Sequence, residues 1–191
     1  MVGKIRLAQI EDAEQISAIY SRYVLETPVS FESVPPSSVE MAGRIAQTLE
    51  MYPWLVYEID GVIAGYAYAS QHRARHHYQW SVDVTVYIQD QFHRQGIGRA
   101  LYSPLLAILP LQGYVSAYAG ITLPNAASVG LHESMGFKPV GVYENVGHKL
   151  GRWHNVGWWQ RPLAAPMGAP QNPLELSAVQ DLAEWKAALA V

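Results

Sequence analysis

Asp83-Val84-Thr85-Val86-Tyr87-Ile88-Gln89-Asp90-Gln91-Phe92-His93-Arg94-Gln95-Gly96-Ile97-Gly98-Arg99-Ala100-Leu101 decides the reading of this chain. Its first half is a β-branched and aromatic run, the composition of a pleated strand. Its second half opens an apolar series through Leu101, Leu105 and Leu106 at helical spacing. Strand, tight loop and helix therefore follow one another. Two glycines at the helix mouth, Gly96 and Gly98, let the backbone approach a ligand closely. The first helical N–H groups have no partner inside the helix, which suits them to an anion. The loop is expected to hold a pyrophosphate; a plain strand-to-helix turn is the competing reading of the same pattern.

Two familiar phosphate loops do not fit. A Walker loop requires Gly-Lys-Ser/Thr after its glycines, whereas Gly98 is followed by Arg99 and Ala100. The dinucleotide fingerprint requires three glycines in the first βα unit, and this loop lies mid-chain.

Working outward, the chain of 191 residues suits one compact domain plus an extra segment. Half of it is hydrophobic and 15% is charged, the balance of a globular protein. A net charge of -3 without blocks of like charge argues against a nucleic-acid surface. No apolar run approaches the roughly 20 residues of a membrane helix, and Met1 to Arg6 lacks the apolar core of a signal peptide, so a cytoplasmic location is expected. The chain has no cysteine, which removes disulfides, thiolate-bound zinc and thiol nucleophiles together. No Gly-x-Ser-x-Gly elbow signals a serine relay.

Lys4 to Ala8 reads as a first strand. Asp12 is placed to cap a helix whose buried face carries Ile16, Ile19, Tyr20, Tyr23 and Val24. Glu26 to Pro36 holds three prolines and reads as a loop around Phe31. Ser37 to Glu40 is a capping box opening a second helix through Leu49. Asp60-Gly61 between Trp54–Ile59 and Val62–Ala69 predicts a two-residue hairpin. A basic loop, Ser70 to Tyr78, leads into the central strand. Tyr114 to Ile121 reads as a strand, and Leu123-Pro124-Asn125 starts a helix that Gly136 ends. Phe137–Val142 and Val156–Gln160 are expected as the last strands, joined by a connection over Tyr143 to Asn155. Ala164 to Pro173 carries three of the twelve prolines and reads as a linker. Ser177 to Ala190 then predicts an amphipathic helix with Val179, Leu182, Trp185 and Leu189 on one face. The expected organisation is a domain over 1–163 and a linker with a helical extension over 164–191.

Val86-Tyr87-Ile88 followed by His93-Arg94-Gln95-Gly96-Ile97-Gly98 resembles the strand and pyrophosphate loop of the GNAT acetyltransferases, with His93 where that family usually has Gln or Arg. Leu123-Pro124-Asn125-Ala126-Ala127-Ser128, continuing through Leu131, His132, Gly136 and Phe137, resembles the family's second motif. Tyr68, Arg73-Ala74-Arg75, Tyr78-Gln79-Trp80 and Gly151 to Gly157 narrow the resemblance to the phosphinothricin and methionine-sulfoximine N-acetyltransferases, over roughly Ile5 to Leu163. The resemblance implies a mixed α/β GNAT fold with splayed central strands, acetyl-CoA as co-substrate, no metal, a small amino-acid substrate and a homodimer.

On that reading the main-chain groups of Val86, Tyr87 and Ile88 pair with the pantetheine amides, as in a strand addition. His93, Arg94, Gln95, Gly96, Ile97, Gly98 and Arg99 hold the pyrophosphate. Asn125 and Ser128 contact the arm by resemblance, although Asn125 is equally a helix cap. With no thiol or activated serine, an amine must attack the thioester directly. Asp83 stands where the resembled enzymes carry Glu; one methylene shorter, it is expected to act as base through a water, or else to pair structurally with Arg73 or Arg75. A β-bulge is expected to free the N–H of Val86 or Tyr87 for the oxyanion. His132, which stands where the resembled family has a tyrosine, is expected to protonate the thiolate, since its ordinary titration range suits exchange near neutral pH; a purely structural histidine on the helix is the competing reading. Arg73 and Arg75 are expected to clamp the substrate's anionic groups. Phe31, Tyr68, Tyr78 and, by resemblance, Val156 form its walls. His72, His76 and His77 lack the Asp, Glu or Cys that would complete a metal set.

Overall fold

Asp60 and Gly61 take φ of 49° and 81°, the paired left-handed conformation of a tight hairpin turn. They join β2 (Trp54–Ile59) to β3 (Val62–Gln71). A computed structural model describes residues 3–166 and 168–190 of the chain. Within them β1 (Lys4–Leu7), β2, β3, β4 (Ser81–Ile88), β5 (Ser116–Leu123), β6 (Lys138–Lys149) and β7 (Arg152–Pro162) form one sheet. Its order is β1-β2-β3-β4-β5-β7-β6, and only β4 and β5 run parallel.

Strand alternation assigns the two faces. Tyr66 and Tyr87 turn toward α1 (Ala13–Glu26) and α2 (Ser38–Leu49), where Ile16, Ile19, Tyr20, Met41 and Ile45 are buried with them. Val82, Val84, Ala117 and Ala119 turn the other way, onto Leu101, Leu105 and Ile108 of α3 (Ile97–Ile108). Each fully buried leucine there contributes about 1.5–3 kcal/mol. The capping box at α2 forms as expected: the Glu40 N–H donates to the Ser37 hydroxyl oxygen at 3.2 Å, and the Ser37 N–H donates to the Glu40 carboxylate at 2.8 Å.

Three expectations change. Asp12 does not cap α1 with its side chain; its carboxylate takes both the Arg6 guanidinium and the Gln9 N–H, tying β1 to the chain before the helix. Tyr143 to Asn155 is not a loose connection, because β6 and β7 run on to a two-residue turn at Leu150-Gly151, with φ of 51° and 76°. β6 is exposed on both faces, so it carries no apolar alternation to read. The C-terminal helix is short, α5 (Ala183–Leu189), and Leu182 lies outside its buried side, 41% exposed.

The tail is nonetheless anchored. Leu176, Val179 and Trp185 are buried in the α3-side core. The Trp80 indole N–H donates to the Gln171 carbonyl at 2.8 Å, and the Gln79 amide donates to Asn172 at 3.0 Å. The tail therefore touches the loop that enters β4. Among the described residues no helix is long and apolar enough to cross a membrane.

Candidate active site

β4 and β5 pair only at Ser81 with Ser116, Val82 with Ala117 and Asp83 with Tyr118, and then part. Each strand is held on its other edge: β4 stays paired with β3 as far as Ile88, and β5 follows β7 as far as Leu123. The fork encloses a cavity of about 100 Å³ between Val84–Tyr87 and Ala119–Thr122. Tyr102 of α3 lines it too, with Asn125, Ser128 and His132 at the start of and along α4 (Ala126–Ser134).

Alternation along β4 decides which main-chain groups face the fork. The Gln89 N–H donates to the Ala64 carbonyl of β3 at 2.9 Å, while the Ile88 N–H turns the opposite way, toward the Tyr23 hydroxyl. Counting back by twos, Val86 and Val84 turn their N–H and C=O into the fork, and Tyr87 and Thr85 turn theirs to β3. The expectation for Tyr87 is corrected accordingly: its main chain is spent on β3 opposite Tyr66, and its ring packs on Tyr20 at 5.1 Å. Ile88 is corrected as well, since its carbonyl already accepts from the Tyr23 hydroxyl at 2.7 Å and from His93 Nε2 at 3.0 Å. No bulge interrupts β4, whose register with β3 is continuous. The splay, not a bulge, is what frees Val86.

At the mouth of α3, Gly96 takes φ of 81°, and its carbonyl accepts the first helical bond from the Ala100 N–H. The N–H groups of Ile97, Gly98 and Arg99 precede that bond and point out of the helix end. Gly98 lets α4 come close: a Cβ there would stand 2.9 Å from the end of the Leu131 side chain, which would have to shift. Arg94 and Arg99 are exposed beside this cradle, and among the described residues neither has an ion-pair partner. The Gln95 amide shapes the loop by donating to the Gln91 carbonyl at 2.9 Å. The His93 ring is turned back to the end of β4, away from the cradle.

Asp83 sits on the last paired rung before the strands part, with its side chain on the α1–α2 face. Its partner is neither Arg73 nor Arg75 but His72, with Nδ1 2.6 Å from the carboxylate. Burial raises the Asp83 carboxyl above its ordinary value, and the bond from His72 opposes that rise. The His72 ring lies flat on Tyr118, centroids 4.2 Å apart, and edge-on to Trp158 at 5.9 Å. Arg73 covers Trp158 from 5.3 Å and donates to the His72 carbonyl. Among the described residues no group of His, Cys, Asp and Glu is arranged to hold a metal ion.

His132 is a different kind of histidine. It is 4% exposed, its Nδ1 stands 2.8 Å from the Ser128 carbonyl, and its Nε2 stands 3.0 Å from the Tyr102 hydroxyl. A carbonyl only accepts, so Nδ1 carries the hydrogen and Nε2 receives one from Tyr102. Burial lowers the titration of the ring and raises that of Tyr102. The pair is therefore neutral near pH 7, with no spare N–H on the ring, and the expectation that His132 protonates a thiolate is corrected. The Tyr102 hydroxyl, its titration raised by burial, lines the same cavity.

The substrate candidates do not all converge. Tyr68 shares the Asp83 face one row further along β4, opposite Thr85, and stacks on Trp54 at 4.3 Å. Phe31 leans on β6, so closely that a Cβ on Gly147 would meet its ring at 2.2 Å, and its ring centroid is 6.2 Å from that of His154. Lys149 ties the same loop down by donating to the Glu32 carbonyl at 3.0 Å. Val156 pairs with Thr122 across the mouth side of β5. Arg75 and Tyr78 stay on an exposed turn, and the two arginines do not form a clamp in this state. Asn125 acts as the cap of α4, its side-chain oxygen accepting from the Ser128 N–H at 3.1 Å. Sequence reasoning missed His72, Tyr118 and Trp158. A register signal for His72 existed: Ser70 stands opposite Asp83, so the side chain two residues on returns to the same face.

A parallel pair that holds for three rungs and then splays beside a glycine-mouthed helix defines the acyl-CoA-dependent N-acyltransferase class of fold. Residues 5–158 match the acetyltransferase (GNAT) domain, and the chain belongs to that family. A phosphinothricin N-acetyltransferase of Streptomyces viridochromogenes is 39% identical over 171 residues, 90% of this chain and 92% of its own. An L-methionine sulfoximine/L-methionine sulfone acetyltransferase of Salmonella typhimurium is 34% identical, over 85% of this chain and 97% of its own. Among solved structures, a phosphinothricin acetyltransferase of Sinorhizobium meliloti in complex with AcCoA superposes with a TM-score of 0.83 at 33% identity, covering 89% of this chain and 96% of its own.

Proposed function

We propose that this acetyltransferase moves the acetyl group of acetyl-CoA to the α-amine of a small amino acid or analogue of the phosphinothricin or methionine-sulfoximine type. The observation that carries the reading is the fork, with a half-buried carboxylate on its last rung and a cradle of helix N–H groups at its open end. Related enzymes of those names at 33–39% identity support the substrate class. In this reading Val86 offers its N–H and C=O to the co-substrate and its N–H to the developing oxyanion, while Gln95 to Arg99, with Arg94, hold the diphosphate. Asn125 and Ser128 border the arm. Asp83 is the anionic end of the path by which the ammonium loses its proton.

The amino-acid carboxylate is expected to draw Arg73 and Arg75 together on binding, between walls formed by Phe31, Tyr68, Tyr78 and Val156. Acetylation of a polyamine is disfavoured because such a substrate needs acidic walls, and the loop over Asp83 is basic. We also infer a homodimer through the β6–β7 ribbon, where Val142, Val146 and Trp153 are 50–62% exposed on an otherwise unpaired edge. A cysteine-free chain that draws on acetyl-CoA fits a cytoplasmic enzyme.

Release of free thiol from acetyl-CoA, measured across amino acids, polyamines and peptide N-termini, tests the substrate. Turnover is expected with methionine sulfoximine, methionine sulfone or phosphinothricin. Turnover confined to polyamines or peptides would overturn the assignment.

A further inference from the structure

We propose that the base of the reaction is His72, through Nε2, and that Asp83 is its positioning partner. The inference rests on the acetyl-transfer reading above and specifies who removes the proton.

The geometry has three parts. A carboxylate offers only acceptors, so the 2.6 Å contact between Asp83 and His72 Nδ1 places the ring hydrogen on Nδ1 and the lone pair on Nε2. Among the described residues no protein group pairs with that Nε2, and it is not one of the buried atoms left unpartnered. The ring is held in one orientation by the flat stack on Tyr118, the edge of Trp158 and the Asp83 bond, with only 11% of its side chain exposed. All of this lies on the rung where β4 and β5 part, the end of the fork at which a thioester threaded between the strands presents its acyl group.

Asp83 alone is poorly suited to the task. One of its oxygens is already taken by His72, and burial disfavours its charged form. As the partner of an imidazole it has a use for that charge, because the imidazolium formed in the reaction is stabilised by the carboxylate beside it.

His72 Nε2 takes one proton from the substrate ammonium. The amine lone pair forms the C–N bond at the thioester carbonyl, whose π electrons move to oxygen, toward the Val86 N–H. The oxyanion collapses, the C–S bond breaks, and the second nitrogen-bound proton leaves with the sulfur as CoA thiol. His72 then returns its proton to water. No acid at His132 is required.

The test compares His72→Asn with the wild type. The asparagine amide still donates to Asp83 but has no basic nitrogen, so kcat is expected to fall about 10²-fold while acetyl-CoA affinity by calorimetry changes less than about twofold. In His72→Ala, which opens a ring-sized slot on Tyr118, added imidazole is expected to restore part of the rate, a readout that a packing role would not produce. The assays use whichever amine the wild type acetylates best, so failure of the amino-acid reading shows as a change of substrate, while the two His72 variants still report on the base. A His72→Asn enzyme within threefold of wild-type kcat, or a His72→Ala enzyme indifferent to imidazole, would overturn the inference.

Discussion

Two histidines border the fork, and their surroundings are opposite. His132 is enclosed on α4, gives its one hydrogen to a helix carbonyl and receives another from a tyrosine whose titration burial raises. His72 lies just past the end of β3, against Tyr118 of β5, gives its hydrogen to a carboxylate and, among the described residues, has a second nitrogen without a partner. Family resemblance directs attention to the first, since it replaces the residue of a known motif. Hydrogen-bond stoichiometry points to the second, because a group that moves protons needs a vacant site and a charge to stabilise the protonated form. The Tyr102–His132 pair fastens α3 to α4 along one wall of the fork, and the His72–Asp83 pair stands at the rung where the strands part.

The contrast predicts its largest effect at Asp83. Asp83→Asn retains an oxygen to accept from His72 but removes the charge that favours an imidazolium. Steady-state kinetics are expected to show kcat lower by about 10²-fold or more with acetyl-CoA KM nearly unchanged. The same variant is expected to unfold at the same temperature as the wild type or above it, because the native state no longer partly desolvates an ionised carboxylate. Unchanged turnover would erase the distinction between the two pairs.

His132 is expected to behave in the reverse manner. His132→Leu leaves the buried Tyr102 hydroxyl without its acceptor, a cost of about 1–3 kcal/mol in denaturant unfolding, with kcat within about threefold of wild type. The two groups also oppose each other in pH dependence. Because the folded state lowers the titration of His132, the unfolded chain binds more protons as pH falls below about 6.5, so this contribution to stability is present above that pH and lost beneath it. Because the folded state raises Asp83, its contribution favours the native state most below pH 3.8 and is lost as pH rises through the folded value. Unfolding curves from pH 4 to 8 should therefore be flatter below about 6.5 for His132→Leu than for the wild type.

Much of this molecule was legible without coordinates, and the exceptions have physical causes. The Asp60-Gly61 turn, the Ser37–Glu40 box and the Gly96 helix mouth are local devices, each written in a few adjacent residues. The far end of the β6–β7 ribbon was illegible because β6 is exposed on both faces, which erases alternation and leaves Tyr143 to Asn155 with the composition of a loop. His72 was hidden for a related reason. Its meaning comes from a register across β3 and β4 and a stack across β5, both contacts between strands, whereas a reading along the chain groups it with His76 and His77. The position of His132 could be read from its motif, but its role depended on Tyr102, 30 residues away.

Asn125 provides the finest test, since it lines the same cavity as His132 and bonds only through its side-chain oxygen among the described residues. Its oxygen caps α4 through the Ser128 N–H, and among the described residues its nitrogen has no partner. Replacement by Asp separates the two capacities: a carboxylate caps a helix N-terminus as well as Asn does and suits the positive end of the dipole, but it has no N–H to offer the co-substrate's amides. Asn125→Ala, by contrast, loses both and is expected to cost about 1 kcal/mol of stability. If the wall of the fork that holds His132 serves only to support the fold, Asn125→Asp will match the wild type in every measurement. The arrangement of the fork predicts otherwise: an unchanged melting temperature and a rise of about fivefold in the KM for acetyl-CoA, the worth of one hydrogen bond of about 1 kcal/mol.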